Sequence, residues 1–218
     1  MSSSSIKPSI EKGMRLTRLL KRFWHFVWEE DSLLSWVVNI VLAFVLIKFI
    51  IYPGLGFVVG TQFPIVAVVS GSMEHHPSSF TGWWDDHKAW YEGHAISAES
   101  FQEFPLHNGL KKGDIVFIRG KKLHNIKIGD ILVFRSKLKS EPIIHRIVGI
   151  GQEGSAESAE GSGTQFYFTT KGDNNEDSYA FEHRIRKDQI IGVASFRIPY
   201  LGYLKIGFVA VLKMLRIG

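Results

Sequence analysis

The 218-residue chain has no cysteine, which excludes disulfides and thiolate metal sites, so a domain outside the cytoplasm would have to hold together by packing alone. Charge is almost missing from one long stretch, where Lys48 is the only charged residue between Ser32 and Met73. Concentrated basic patches are lacking too: the net charge is +5, but apart from an N-terminal group the basic residues are spread out, which argues against nucleic-acid partners. The middle of the chain has no long amphipathic helical window. His75, His76, His87 and His94 with Asp85 and Asp86 match no compact metal-binding spacing, so neither a metal nor another cofactor is expected. The length leaves room for one core domain and one or two membrane segments.

What is present starts with the apolar run. Residues 33–52 supply the roughly 20 apolar residues that cross a hydrocarbon core of about 30 Å. Lys48 lies about one turn from the far end, where its long stem can carry the ammonium to the interface. Lys7, Lys12, Arg15, Arg18, Lys21 and Arg22 precede the run and residues 52–73 carry no charge, so the positive-inside rule places the N-terminus in the cytoplasm and the following domain outside. The run is long and late for a leader and has no small-residue cleavage site of the usual pattern, which favours an anchor over a removed signal peptide. A second apolar run, 198–217, is interrupted by Lys205 and flanked by Lys213 and Arg216; it reads either as a returning span or as an interfacial helix.

Between the runs, short apolar or alternating stretches bounded by Gly, Asn and Asp predict strands over 65–69, 114–119, 130–135, 143–150, 165–170 and 190–196, hence a mainly β domain. Lys112-Gly113-Asp114 and Ile128-Gly129-Asp130 echo one another as two Gly-Asp turns that each open a strand. The expected organisation is a basic cytoplasmic segment (1–31), a transmembrane helix (32–52), a β domain (53–197) and a second membrane segment (198–218). Within the β domain, 75–110 is an aromatic-rich insertion that either packs as a small helical or irregular cap or dips its tryptophans into headgroups. Residues 154–163, small and polar, form a flexible tip.

Four motifs follow the apolar run in order: Ser70-Gly71-Ser72-Met73-Glu74, Gly129-Asp130-Ile131, Ile144-His145-Arg146-Ile147-Val148-Gly149-Ile150, and Thr170-Lys171-Gly172-Asp173-Asn174-Asn175. A serine hydroxyl needs a base to become a useful nucleophile, and a histidine and carboxylates are available to match it. In these motifs the chain resembles the type I signal peptidases, and their archaeal and endoplasmic-reticulum branch more than the bacterial one, over roughly residues 33–203. The resemblance implies a signal-peptidase-like β catalytic domain with Ser72 as nucleophile, Ser70 as an oxyanion-hole hydroxyl and His145 as general base, where bacterial relatives carry a lysine. It also implies an aspartate that orients the histidine. Relatives place that residue further along than this shortened segment allows, so Asp177 is the first candidate and Asp173, supporting the turn, the second. The implied substrates are signal peptides of secreted or membrane preproteins with small residues at the two recognition positions, and the implied surroundings are a lipid bilayer with translocon or accessory subunits, in a cell or endoplasmic-reticulum membrane. The shortened acidic segment motivates one rival, a non-catalytic membrane-anchored β module of the translocation machinery. Against it, both the serine and the histidine are retained.

Overall fold

A computed structural model describes residues 7–76, 80–153 and 165–204, together with 207, 210 and 214. The flexible tip expected at 154–163 lies outside the described residues, as does most of the second membrane segment expected at 198–218. The chain forms two compact units, 1–54 and 55–218.

In the first unit, α1 (Lys7–Trp28) precedes α2 (Leu33–Leu46), whose first turn is capped by the Ser32 hydroxyl accepting the Ser35 N–H. The last carbonyls of α1 have no partners within that helix, and α2 supplies donors for two of them. Ser35 Oγ donates to Phe26 O at 2.7 Å and Asn39 Nδ2 donates to Val27 O at 2.9 Å, so two polar residues of an apolar helix are satisfied. A π turn (Ile47–Ile51) joins α2 to α3 (Tyr52–Val59). Together they make a 27-residue helix, Leu33–Val59, with mean hydropathy 2.5, long and apolar enough to cross a membrane. The helix runs past its expected end at Tyr52 and through Pro53. Proline has no N–H and would press on the carbonyl four residues back in a regular helix. The π turn absorbs this misfit, with the Tyr52 N–H reaching Ile47 O.

In the second unit, six strands among the described residues form one antiparallel sheet in the order β1-β2-β6-β3-β4-β5. They are β1 (Ile65–Ala67), β2 (Ile115–Arg119), β3 (Ile131–Phe134), β4 (Ile143–Glu153), β5 (Gln165–Lys171) and β6 (Ile190–Ile198). All six expected strands are present, and the fold is mainly β. The sequence Ile131-Leu132-Val133-Phe134 is buried on both faces of the sheet: Ile131 and Val133 join a cluster with Val68, Met73 and Val116, whereas Leu132 and Phe134 join one with Ile147, Phe168 and Val193. The two Gly-Asp turns are built alike. Gly113 and Gly129 adopt φ +91° and +90°, and the carboxylates of Asp114 and Asp130 accept the backbone N–H of Lys111 and Lys127, each at 2.9 Å.

The 75–110 insertion holds two helices, α4 (Phe80–Gly93) and α5 (Ala98–Gln102). Trp83, Tyr91 and Phe101 are fully buried, and with Trp84 and Ile96 they form a third core cluster, so this segment packs as a cap within its unit. Val148 joins this cluster from the sheet. The β4–β5 register slips between Ile147 and Gly149, and this bulge turns Val148 into the aromatic cluster while Ile147 stays in the core between the strands.

Candidate active site

Ser72 follows edge strand β1 in a tight loop whose neighbours fix it. Met73 is 1% exposed and plugs the core, its carbonyl accepting the Leu110 N–H at 2.8 Å. The Glu74 carboxylate accepts the Lys112 N–H at 2.8 Å, tying the loop to the turn that opens β2. That backbone donor, and then His76 at 2.6 Å, hold the Glu74 carboxyl below the usual carboxylate range. From the other side, Asn174 donates its backbone N–H to Ser72 O at 2.8 Å and its side-chain amide to Gly71 O at 3.2 Å. Gly172 leaves room for this approach: a Cβ there would lie 2.8 Å from Ser72 O.

His145 projects from β4, where it pairs in register with Leu132. Its Nε2 lies 2.9 Å from Ser72 Oγ, and its Nδ1 meets Oε1 of Glu182. Glu182 is fully buried on a 3-10 turn (Ala180–Glu182) beyond β5. Thr170 Oγ1 donates to the same carboxylate oxygen at 3.0 Å, and the Tyr179 N–H donates to the other at 2.9 Å. With Nδ1–H on the carboxylate, the Nε2 lone pair faces the hydroxyl. Ser70 Oγ stands 3.2 Å from Ser72 Oγ. A hydroxyl so placed can lose its proton to the imidazole as it attacks a carbonyl.

The aspartates named in the sequence lie elsewhere. Among the described residues neither Asp173 nor Asp177 is hydrogen-bonded to His145. Asp173 is fully buried against Arg146, accepting from Nε at 2.9 Å and Nη2 at 2.7 Å, and it also meets His75 Nε2 at 3.0 Å and Tyr91 Oη at 3.3 Å. Burial alone would raise its pKa, but the Arg146 guanidinium and the His75 contact hold it well below the ordinary value. Asp177 is exposed and accepts from Trp90 Nε1 at 2.9 Å, which, followed by the Ser178 N–H, lowers its pKa. Glu182 was not among the sequence candidates. The sign that could have found it is the shortening between Asp173 and the next aspartate, which leaves the acid to a later residue.

The four histidines considered as metal ligands are otherwise engaged. His75 stacks on Trp83 with ring centroids 3.7 Å apart, His76 meets Glu74, and the Nδ1 atoms of His87 and His94 contact the carbonyls of Trp83 and Trp90. Among the described residues no group of three or more His, Asp or Glu side chains is arranged to hold a metal ion.

Ser72 and His145 line a groove of about 280 Å³ between the end of β1 and the start of β4, with Ala67, Val69, Pro142, Ile144, Asn175 and Tyr179 in its walls. Fold and site together define a class: an antiparallel β domain with a Ser–His–carboxylate hydrogen-bond chain at a groove beside its edge strand. No family model matches the chain. It is 32% identical over 164 residues to the signal peptidase complex catalytic subunit SEC11 of Eremothecium gossypii, covering 72% of this chain and 73% of that protein. The Colletotrichum graminicola SEC11 subunit is 30% identical over 165 residues, 72% of this chain and 71% of that one. The Homo sapiens subunit SEC11C is 27% identical over 161 residues, 72% and 62% respectively. The chain belongs to the signal peptidase complex catalytic subunit family.

Proposed function

We propose that this chain is a membrane-anchored serine endopeptidase that removes N-terminal signal peptides from preproteins, with Ser72 as nucleophile, His145 as general base and Glu182 as the acid that orients it. The observation that carries the reading is one imidazole bridging the Ser72 hydroxyl at 2.9 Å and a fully buried carboxylate. Ser72 Oγ attacks the scissile carbonyl while its proton passes to His145 Nε2. Glu182 stabilises the resulting imidazolium. Ser70 Oγ supplies a hydrogen bond to the oxyanion. Collapse of the intermediate breaks the C–N bond, and His145 returns the proton to the leaving amine. Water, deprotonated by the same imidazole, then hydrolyses the acyl ester and restores the Ser72 hydroxyl.

The substrate reading rests on the groove. Val68 directs its N–H to Asp114 O and its carbonyl to the Gly113 N–H, both at 2.9 Å, so alternation along the strand turns the peptide groups of Ala67 and Val69 toward the free edge. An extended peptide can add there by backbone hydrogen bonds, while the confined apolar walls favour small side chains such as Ala-x-Ala. The relatives are named as subunits of a complex, and this chain is proposed to work with accessory subunits too. The basic N-terminal segment is assigned to the cytoplasmic side and the β domain to the opposite side. Ser72→Ala, purified folded and inserted, is expected to lose cleavage of a preprotein ending its signal in Ala-x-Ala. Undiminished cleavage by that variant contradicts the assignment.

A further inference from the structure

The helical insertion fastens both ends of the Lys171–Asp177 segment. At one end, the Lys171 ammonium lies 4.9 Å and 4.8 Å from the ring centroids of Trp90 and Tyr91. In the middle, Tyr91 Oη donates to Asp173 at 3.3 Å, and His75, stacked on Trp83 of the same helix, meets the other Asp173 oxygen at 3.0 Å. At the far end, the indole N–H of Trp90 donates to Asp177 at 2.9 Å, a charge-assisted bond. The clasped segment contains Asn174, whose two hydrogen bonds end on the carbonyls of Ser72 and Gly71.

We propose that the insertion is a positioning element for the nucleophile: Trp90 and Tyr91 of α4 clasp the segment that carries Asn174, and Asn174 sets the loop that presents Ser72. Asp177 takes a definite role in this scheme as the outer anchor of the clasp. The inference rests on the reading of Ser72 as nucleophile for its kinetic consequence. The coupling from α4 to Asn174 is testable without catalysis.

Two variants each open the clasp at its exposed end. Trp90→Phe keeps an aromatic ring near Lys171 but removes the N–H donor, and Asp177→Ala removes the acceptor. In the full chain, amide hydrogen exchange is read at Asn174, with Leu132 of β3 as internal control. Each variant is expected to speed exchange at Asn174 about tenfold and leave Leu132 unchanged, as loss of one anchoring bond without global unfolding requires. In the double variant Trp90→Phe is expected to add nothing to Asp177→Ala, because the bond it removes is already gone, whereas Asp177→Ala by itself also releases the Ser178 N–H. On a signal-bearing substrate, kcat falls about tenfold with KM held within about twofold. Unaltered exchange at Asn174 overturns the proposal whether or not the chain cleaves, and so does an effect confined to KM. Additive effects in the double variant do the same. A wild-type chain that cleaves nothing counts against the protease reading and leaves the exchange result to decide this one.

Discussion

Arg146 and Asp173 are both fully buried, and a buried ion is tolerable only with its partner and its remaining hydrogen bonds in place. Arg146 has both: besides the two bonds to Asp173, it donates to the carbonyls of Gly129, Pro105 and Leu106 at 2.9 to 3.1 Å. Asp173→Ala strands the guanidinium and is expected to cost about 3–5 kcal/mol of stability, measured by denaturant unfolding. Because the folded carboxyl titrates below its unfolded value, the stability it contributes is present above the unfolded pKa near 3.8 and is lost as pH falls toward the folded one. An Asp173→Leu, Arg146→Met double variant removes both charges, so its unfolding free energy should decline less between about pH 4 and pH 2 than that of wild type. An equal decline contradicts this linkage. At this scale short motifs in the sequence single out Ser72 and His145 as candidates, and they meet at 2.9 Å because strand β4 fixes where His145 points while hydrogen bonds from Asn174 hold the loop that carries Ser72. The sequence leaves Glu182 unidentified because one turn of 3-10 helix has no periodic pattern to announce its buried side.

Lys171 ends β5 beneath α4, fully buried, with its ammonium donating to the carbonyls of Gly172 at 3.2 Å and Asp173 at 3.4 Å. Burial pushes its pKa down from 10.5 to about 8, partly offset by Asp173, Asp177 and Glu182. Between those two values the unfolded chain holds a proton that the folded chain has shed, so unfolding free energy rises with pH across that window, by roughly 3 kcal/mol at most. Lys171→Met is expected to flatten the rise when unfolding is measured from pH 7.5 to 10.5. A variant with the wild-type slope contradicts the assignment. The strands are legible in sequence because alternation and Gly-Asp turns are local signals. The helices of the insertion are less so: Trp83, Trp84, Trp90 and Tyr91 do share one face of α4, but that face spans only 14 residues and is built from aromatic residues that are weak helix formers.

The molecule as a whole combines a helix able to span a bilayer with a β domain whose groove is proposed to accept the segment beyond a signal peptide's apolar region. The absence of cysteine makes the chain a ready background for single-site labelling. With Lys21→Cys in α1 and Ser140→Cys in the exposed loop before β4, an impermeant maleimide added to sealed membrane vesicles whose cytoplasmic face is outward is expected to label position 21 at once and position 140 only after permeabilisation. The reverse pattern overturns the proposed orientation. The shortened acidic segment motivated a non-catalytic alternative, yet a carboxylate reaches His145 from beyond that segment, so the shortening does not leave the imidazole without an acid. The account therefore depends most on which carboxylate serves the histidine. The direct measurement is kcat for Glu182→Gln beside Asp177→Ala on one signal-bearing preprotein, both variants verified as folded. The account predicts a loss of about 10³ to 10⁴ for Glu182→Gln, as expected when an imidazole loses its orienting charge, against about tenfold for Asp177→Ala. Near wild-type turnover in Glu182→Gln together with near-complete loss in Asp177→Ala would contradict it.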